Sequence, residues 1–147
     1  MRKKIIILVL VLFIGLNLFG CSLENITDNS STNNKVSFSS IYYNCNCQSP
    51  WATLGIDNSY ISLDSNPYDF DRSDYPYLAT MYLSDVEAAI KGINSELGIP
   101  QSVYQQMLNT TALNGRQTKI YESLGVELSW TYHPDNGLEV TYSKYVK

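Results

Sequence analysis

The chain has a single histidine, His133, only three cysteines, and none of the short patterns that assemble an active site by spacing. It has no G-x-S-x-G, no H-E-x-x-H and no phosphate-binding glycine loop. Charge is also scarce: ten basic and fourteen acidic residues in 147, with no cluster of Lys or Arg beyond the first four positions. A protein that tracks nucleic-acid phosphates needs such a cluster, so no nucleic-acid partner is expected. No apolar run is long enough for a comfortable membrane span either. Ile5 to Phe19, broken only by Gly15 and Asn17, reaches about 22 Å as a helix against a hydrocarbon core of roughly 30 Å.

The start of the chain has its own logic. Arg2, Lys3 and Lys4 precede the apolar run, and small Gly20 follows it; this order is that of a secretory signal peptide. Leu18-Phe19-Gly20-Cys21 then resembles the lipobox of bacterial lipoproteins, with Phe19 departing from the small or β-branched residues usual there. The resemblance implies that the Cys21 thiol receives a diacylglyceryl group and that a peptidase cuts just before it. Two or more acyl chains, palmitate among them, anchor far better than one, at roughly 0.8 kcal/mol per buried methylene. The implied address is the extracytoplasmic face of the cell membrane, with a signal peptide over 1–20 and the lipidated cysteine at 21.

Ser22 to Ser40 is rich in Ser, Asn and Thr and lacks the apolar content that repays the entropy of ordering. Residues 21–40 therefore read as anchor and flexible tether, with a random-coil span of roughly 20–25 Å. An ordered first element has force only from Val36 onward. Removal of the three basic residues before Cys21 leaves seven basic residues against fourteen acidic ones, a net charge of −7. Such a balance suits solubility, and equally a basic protein or cationic ligand as partner.

Residues 41–147 suffice for one small domain. "WATLGIDNSYISL" reads as two short strands around Asp57-Asn58. Asp64 to Tyr77 reads as a loop. Ser84 and Glu87 have capping-box spacing ahead of Val86, Ile90, Ile93 and Leu97 on one helical face, with Gly98 as the stop. Ser102 and Gln105 repeat that spacing before Val103, Met107 and Leu108. "QTKIYE" predicts a strand. "VELSWTYH" and "LEVTYSKY" alternate apolar residues on either side of "PDNG", a hairpin with strong turn chemistry. The fold class is therefore α+β, two short helices packed on an antiparallel sheet with a C-terminal meander or hairpin. The stretches "DNSYISLDSNPYD", "GRQTKIYE" and "SWTYHPDNGLEVTY" resemble uncharacterised secreted proteins of Gram-positive bacteria, a resemblance that implies no activity and transfers no functional residue.

"CNCQSPW" is the most suggestive motif of the mature chain. With Cys21 lipidated, Cys45 and Cys47 are an even pair in an oxidising compartment, which favours a disulfide, though residues two apart meet only in a tight bend. Two thiolates also suit a soft metal with His133 as third ligand, but no fourth ligand has recognisable spacing. A Cys–His nucleophile pair and free thiols complete the alternatives. His133, before a turn proline and near Asp135, more often caps backbone groups than catalyses. No cofactor is implied.

"YDFDRSDY" places Asp69, Asp71 and Asp74 within six residues. Alternating carboxylates can chelate Ca²⁺, but an EF-hand counted from Asp69 lacks both its glycine at Asp74 and its glutamate at Thr80. A solvated loop with Arg72 neutralising a neighbour is the plainer account. Tyr68, Phe70, Tyr75 and Tyr77 interleave with the aspartates, and tyrosine gives contact area at low entropic cost. Tyr68, Asp69, Asp71, Asp74 and Tyr75 are the candidate partner-binding residues. The expected function is a membrane-anchored, non-enzymatic binding module; the alternative is a thiol enzyme or metal-binding protein using Cys45, Cys47 and His133.

Overall fold

The computed structural model describes residues 36–147; the expected signal peptide, the lipobox, Cys21 and the tether up to Lys35 lie outside the described residues. The described elements run in the order α1 (Phe38–Asn44), β1 (Ala52–Leu54), β2 (Tyr60–Asp64), α2 (Pro76–Leu97), α3 (Gln101–Leu108), β3 (Gln117–Tyr121), β4 (Val126–His133) and β5 (Gly137–Lys144). Short 3₁₀ turns at Ala112–Asn114 and Glu122–Leu124 flank β3. The architecture is α+β, as the alternation of helical and strand periodicity predicts, and all five strands pair antiparallel in the order β1-β2-β5-β4-β3. No helix among the described residues is long and apolar enough to cross a membrane.

Among the described residues three α-helices form where two short ones are expected. Part of the stretch assigned to the tether is folded: the Ser37 hydroxyl accepts from the Ser40 amide, and Phe38 is fully buried. Phe38 and Ile41, three apart, supply the buried edge of α1. The second difference is the length of α2, 22 residues rather than a helix opening at Ser84. Pro76 starts it, in the first turn where its missing N–H costs nothing. Glu87 is not a capping partner; its carboxylate accepts the Tyr104 hydroxyl at 2.8 Å and fastens α3 to α2. At the far end Gly98 adopts φ 68°, and the Gly98 and Ile99 amides close onto Ser95 and Asn94 carbonyls.

The core lies between the helices and one face of the sheet. Val86, Ile90, Ile93 and Leu97 of α2 meet Ile61, Leu63, Val126, Leu128, Trp130, Leu138, Val140 and Tyr142. Two buried hydrogen bonds orient it: Trp130 Nε1 donates to Thr110 Oγ1, and the Tyr142 hydroxyl donates to Asn94 Oδ1, both at 2.8 Å. The opposite face of the sheet is polar. Its central row runs Thr53, Ser62, Thr141, Ser129, Thr118, one hydroxyl residue from every strand.

Candidate functional site

The loop between β2 and α2 is built outward from the β4–β5 turn. Ser65 and Asn66, both buried, stitch the two together. The Leu138 amide donates to Ser65 Oγ at 2.7 Å, and Ser65 returns its own amide to the Leu138 carbonyl at 3.0 Å. Asn66 Nδ2 donates to the carbonyls of Phe70 and Asp135, at 3.0 and 2.9 Å. Arg72 lies across Gly137, close enough that a Cβ there would collide with the guanidinium and with Ser65 Oγ. Buried polar groups that bond across a junction fix its geometry. This loop is held by the hairpin, not draped over it.

On that frame the aromatic side chains form a cluster. Phe70 is its hub, 5.8 Å from the Tyr75 ring and 6.4 Å from Tyr82, while Tyr68 meets Tyr82 edge-on at 6.2 Å. Tyr82 comes from α2 and carries no sequence signal beyond its helical position. Tyr68, Tyr75 and Tyr77 remain more than half exposed. Between them, Asp71 accepts from the Ser73 hydroxyl and amide at 2.7 and 2.8 Å, hydrogen bonds that hold its carboxyl below the usual carboxylate range. Asp69 and Asp74 are exposed. The five residues expected to bind a partner thus share one ordered, acidic, aromatic surface segment.

His133 and the cysteines lie elsewhere, and apart. His133 is exposed at the end of β4, where its Nδ1 accepts the Asp135 amide at 3.3 Å. This is the backbone-capping role expected of a histidine at a turn. Cys45 and Cys47 follow α1, and both are free thiols. The Asn46 amide bonds the Tyr43 carbonyl and the Cys47 amide bonds that of Tyr42, with Asn46 at φ 52° between the two cysteines. That local bend holds both sulfurs without a bridge; Cys45 packs against Gly92 and Cys47 is buried in the core. Burial, reinforced by the neighbouring Cys45, pushes the Cys47 thiol up to about 12. Burial and the Glu96 carboxylate also raise Cys45. Thiols kept protonated are poor nucleophiles and poor ligands. Among the described residues no three His, Cys, Asp or Glu side chains gather into a metal cluster.

Cys45 does open onto a cleft. A groove of about 500 Å³ runs between the segment after α1 and one side of α2. Asp85, Ala88, Ala89, Gly92, Ser95 and Glu96 form its α2 wall, and Asn44, Asn46, Gln48 and Trp51 stand opposite. The α2 residues fall at the intervals of a single helical stripe, beside the core ridge of Val86, Ile90 and Ile93. The end of α1 and the segment after it turn that stripe into a groove. A second groove of about 270 Å³ lies between α3 and the β3–β4 pair, with Lys119 and Trp130 in its lining. No family model matches the chain, and no significant match is found among curated proteins or solved structures.

Proposed function

We propose that the protein is a lipid-anchored, extracytoplasmic binding module that recognises a basic protein or cationic group through the Tyr68–Tyr77 loop. The observation that carries this reading is the loop's construction: exposed tyrosines and aspartates on a segment pinned at Ser65 and Asn66. Preorganised aromatic side chains give contact area without an ordering cost, and interleaved carboxylates attract a cation during approach. The anchor rests on the resemblance of Leu18–Cys21 to a lipobox and is tested separately: radiolabelled fatty acid enters the parent protein and not Cys21→Ser. Equal labelling of both removes the anchor.

Partner capture by crosslinking in native membranes, followed by rate measurements at two salt concentrations, tests the loop. Asp69, Asp71 and Asp74 changed together to Asn slow association and flatten its salt dependence. Tyr68→Ala with Tyr75→Ala mainly accelerates dissociation. Rates unchanged in both variants take the loop out of the interface. A thiol enzyme is the weaker reading, because His133 and the two cysteines occupy different parts of the fold and both thiols are held protonated.

A further inference from the structure

We propose that the outer edge of β3, with the groove beside it, is a docking site for an extended acidic peptide that joins the five-stranded sheet as a further strand. The inference stands apart from the loop reading: it uses different residues and a partner of the opposite charge.

The two edges of the sheet are not alike. β1 has three residues, and its first is already engaged on the outer side: the Tyr42 hydroxyl donates to the Ala52 carbonyl at 3.1 Å, and the Ala52 amide donates to the Gln48 carbonyl at 2.9 Å. β3 has five residues, Gln117–Tyr121, and pairs with β4 on one side only. Among the described residues nothing outside β4 bonds the main chain from Gln117 to Ile120. An antiparallel ladder turns the N–H and C=O of alternate residues away from the partner strand. Along β3 those groups face outward, a row of donors and acceptors on which an extended chain can pair.

The groove of about 270 Å³ between α3 and the β3–β4 pair is placed to meet the side chains of such a strand. Gln117 and Lys119 line it from the core side of β3, opposite Trp130 and Leu128 in register. Thr118, which points to the other face of the strand, lines it too, so the groove opens at the edge. Gln106 and Asn109 stand exposed on the α3 side. Carboxamides both donate and accept, which suits polar peptide side chains. In an added strand alternate side chains reach this face, while main-chain hydrogen bonds supply affinity.

Charge selects the occupant. Lys119 is the only charged residue in the groove lining, and among the described residues neither it nor Arg116, just before β3, takes part in an ion pair. Both are positive in a chain of net charge −4. Lys119 is the middle residue of the strand and is half-buried. A neutral strand laid along β3 would strip water from its ammonium and return nothing. A carboxylate in the facing position replaces the lost hydration with a charge-assisted hydrogen bond. Arg116 is exposed and draws the same charge at longer range.

Calorimetric titration of the full chain in detergent with a synthetic peptide of alternating valine and glutamate tests the assignment. One peptide binds per chain. The same peptide with glutamine for glutamate binds roughly tenfold or more weaker, as expected for loss of a hydrogen bond between charged groups. Lys119→Gln weakens the acidic peptide by a similar factor, with unchanged circular dichroism as the check on its fold. N-methylation separates strand addition from plain charge attraction. Methyl groups on one alternate set of peptide nitrogens abolish binding, and on the other set they leave it intact. Hydrogen exchange slows at alternate amides of β3 when the peptide is bound. The triple Asn variant of Asp69, Asp71 and Asp74 keeps peptide affinity while altering association through the loop, which separates the two proposals. Absence of binding, equal affinity for the glutamine peptide, unchanged affinity in Lys119→Gln, or equal effects of the two methylation patterns would overturn the edge assignment.

Discussion

Gly137 shows how much one residue can be asked to do. Its φ of 79° already disfavours a side chain, and a Cβ would strike Arg72 and Ser65. The sequence "PDNG" announces the first constraint; the second comes from a loop more than sixty positions earlier and has no local signal. Gly137→Val is therefore expected to destabilise the domain by about 1–3 kcal/mol from backbone strain alone, with displacement of Arg72 adding to it. A melting curve decides, and an unchanged midpoint would mean the turn relaxes freely. Asp64 gives a pH-dependent counterpart. Burial raises its pKa, with Glu139 opposite and Asp69 nearby pushing the same way against the bond from the Asn66 amide. The folded pKa stands above the unfolded one, so the contribution to stability is full in acid and is lost as pH rises through the raised value. Asp64→Asn keeps an acceptor for Asn66 and should raise the melting temperature at neutral pH, with the gain vanishing near pH 3. A gain that persists in acid would assign the effect to something other than ionisation.

At the scale of elements, α1 is where sequence reading fell short, for a physical reason. Phe38 is flanked by serines, and a run of Ser and Asn lacks the periodicity that announces a helix; its burial is decided by the sheet it packs on. The β4–β5 hairpin was legible because alternation and turn chemistry agree over sixteen residues of strand. The start of α2 was misread because Ser84 and Glu87 imitate a cap that Pro76 makes unnecessary. The loop residues could be named from composition, whereas the cleft needed α1. Two core substitutions test this account. Phe38→Ala should cost about 3–5 kcal/mol, comparable with Trp130→Ala, which also removes the indole donor to Thr110 Oγ1. Chemical denaturation measures both; a Phe38 variant as stable as the parent would return α1 to the tether. Tyr142→Phe leaves Asn94 Oδ1 buried without its donor and should cost about 1–3 kcal/mol.

For the whole molecule, the order β1-β2-β5-β4-β3 leaves two strands with one unpaired side each. An open edge is a template on which a second chain can add strands. β1 is protected by brevity, three residues preceded by Pro50. β3 is longer, and its safeguard is Lys119. In register this lysine sits opposite Leu128, on the core side of the sheet, where an apolar residue would complete the face. Another copy of the chain docking along β3 would have to bury that ammonium or force it outward, a cost that opposes pairing at this edge. Lys119→Val should leave the monomer's fold intact and make its sedimentation depend on concentration. A β3 edge that stays monomeric with valine would show that its protection comes from elsewhere. A half-buried charge at the margin of the core is here the residue expected to keep copies of the chain from growing into one another.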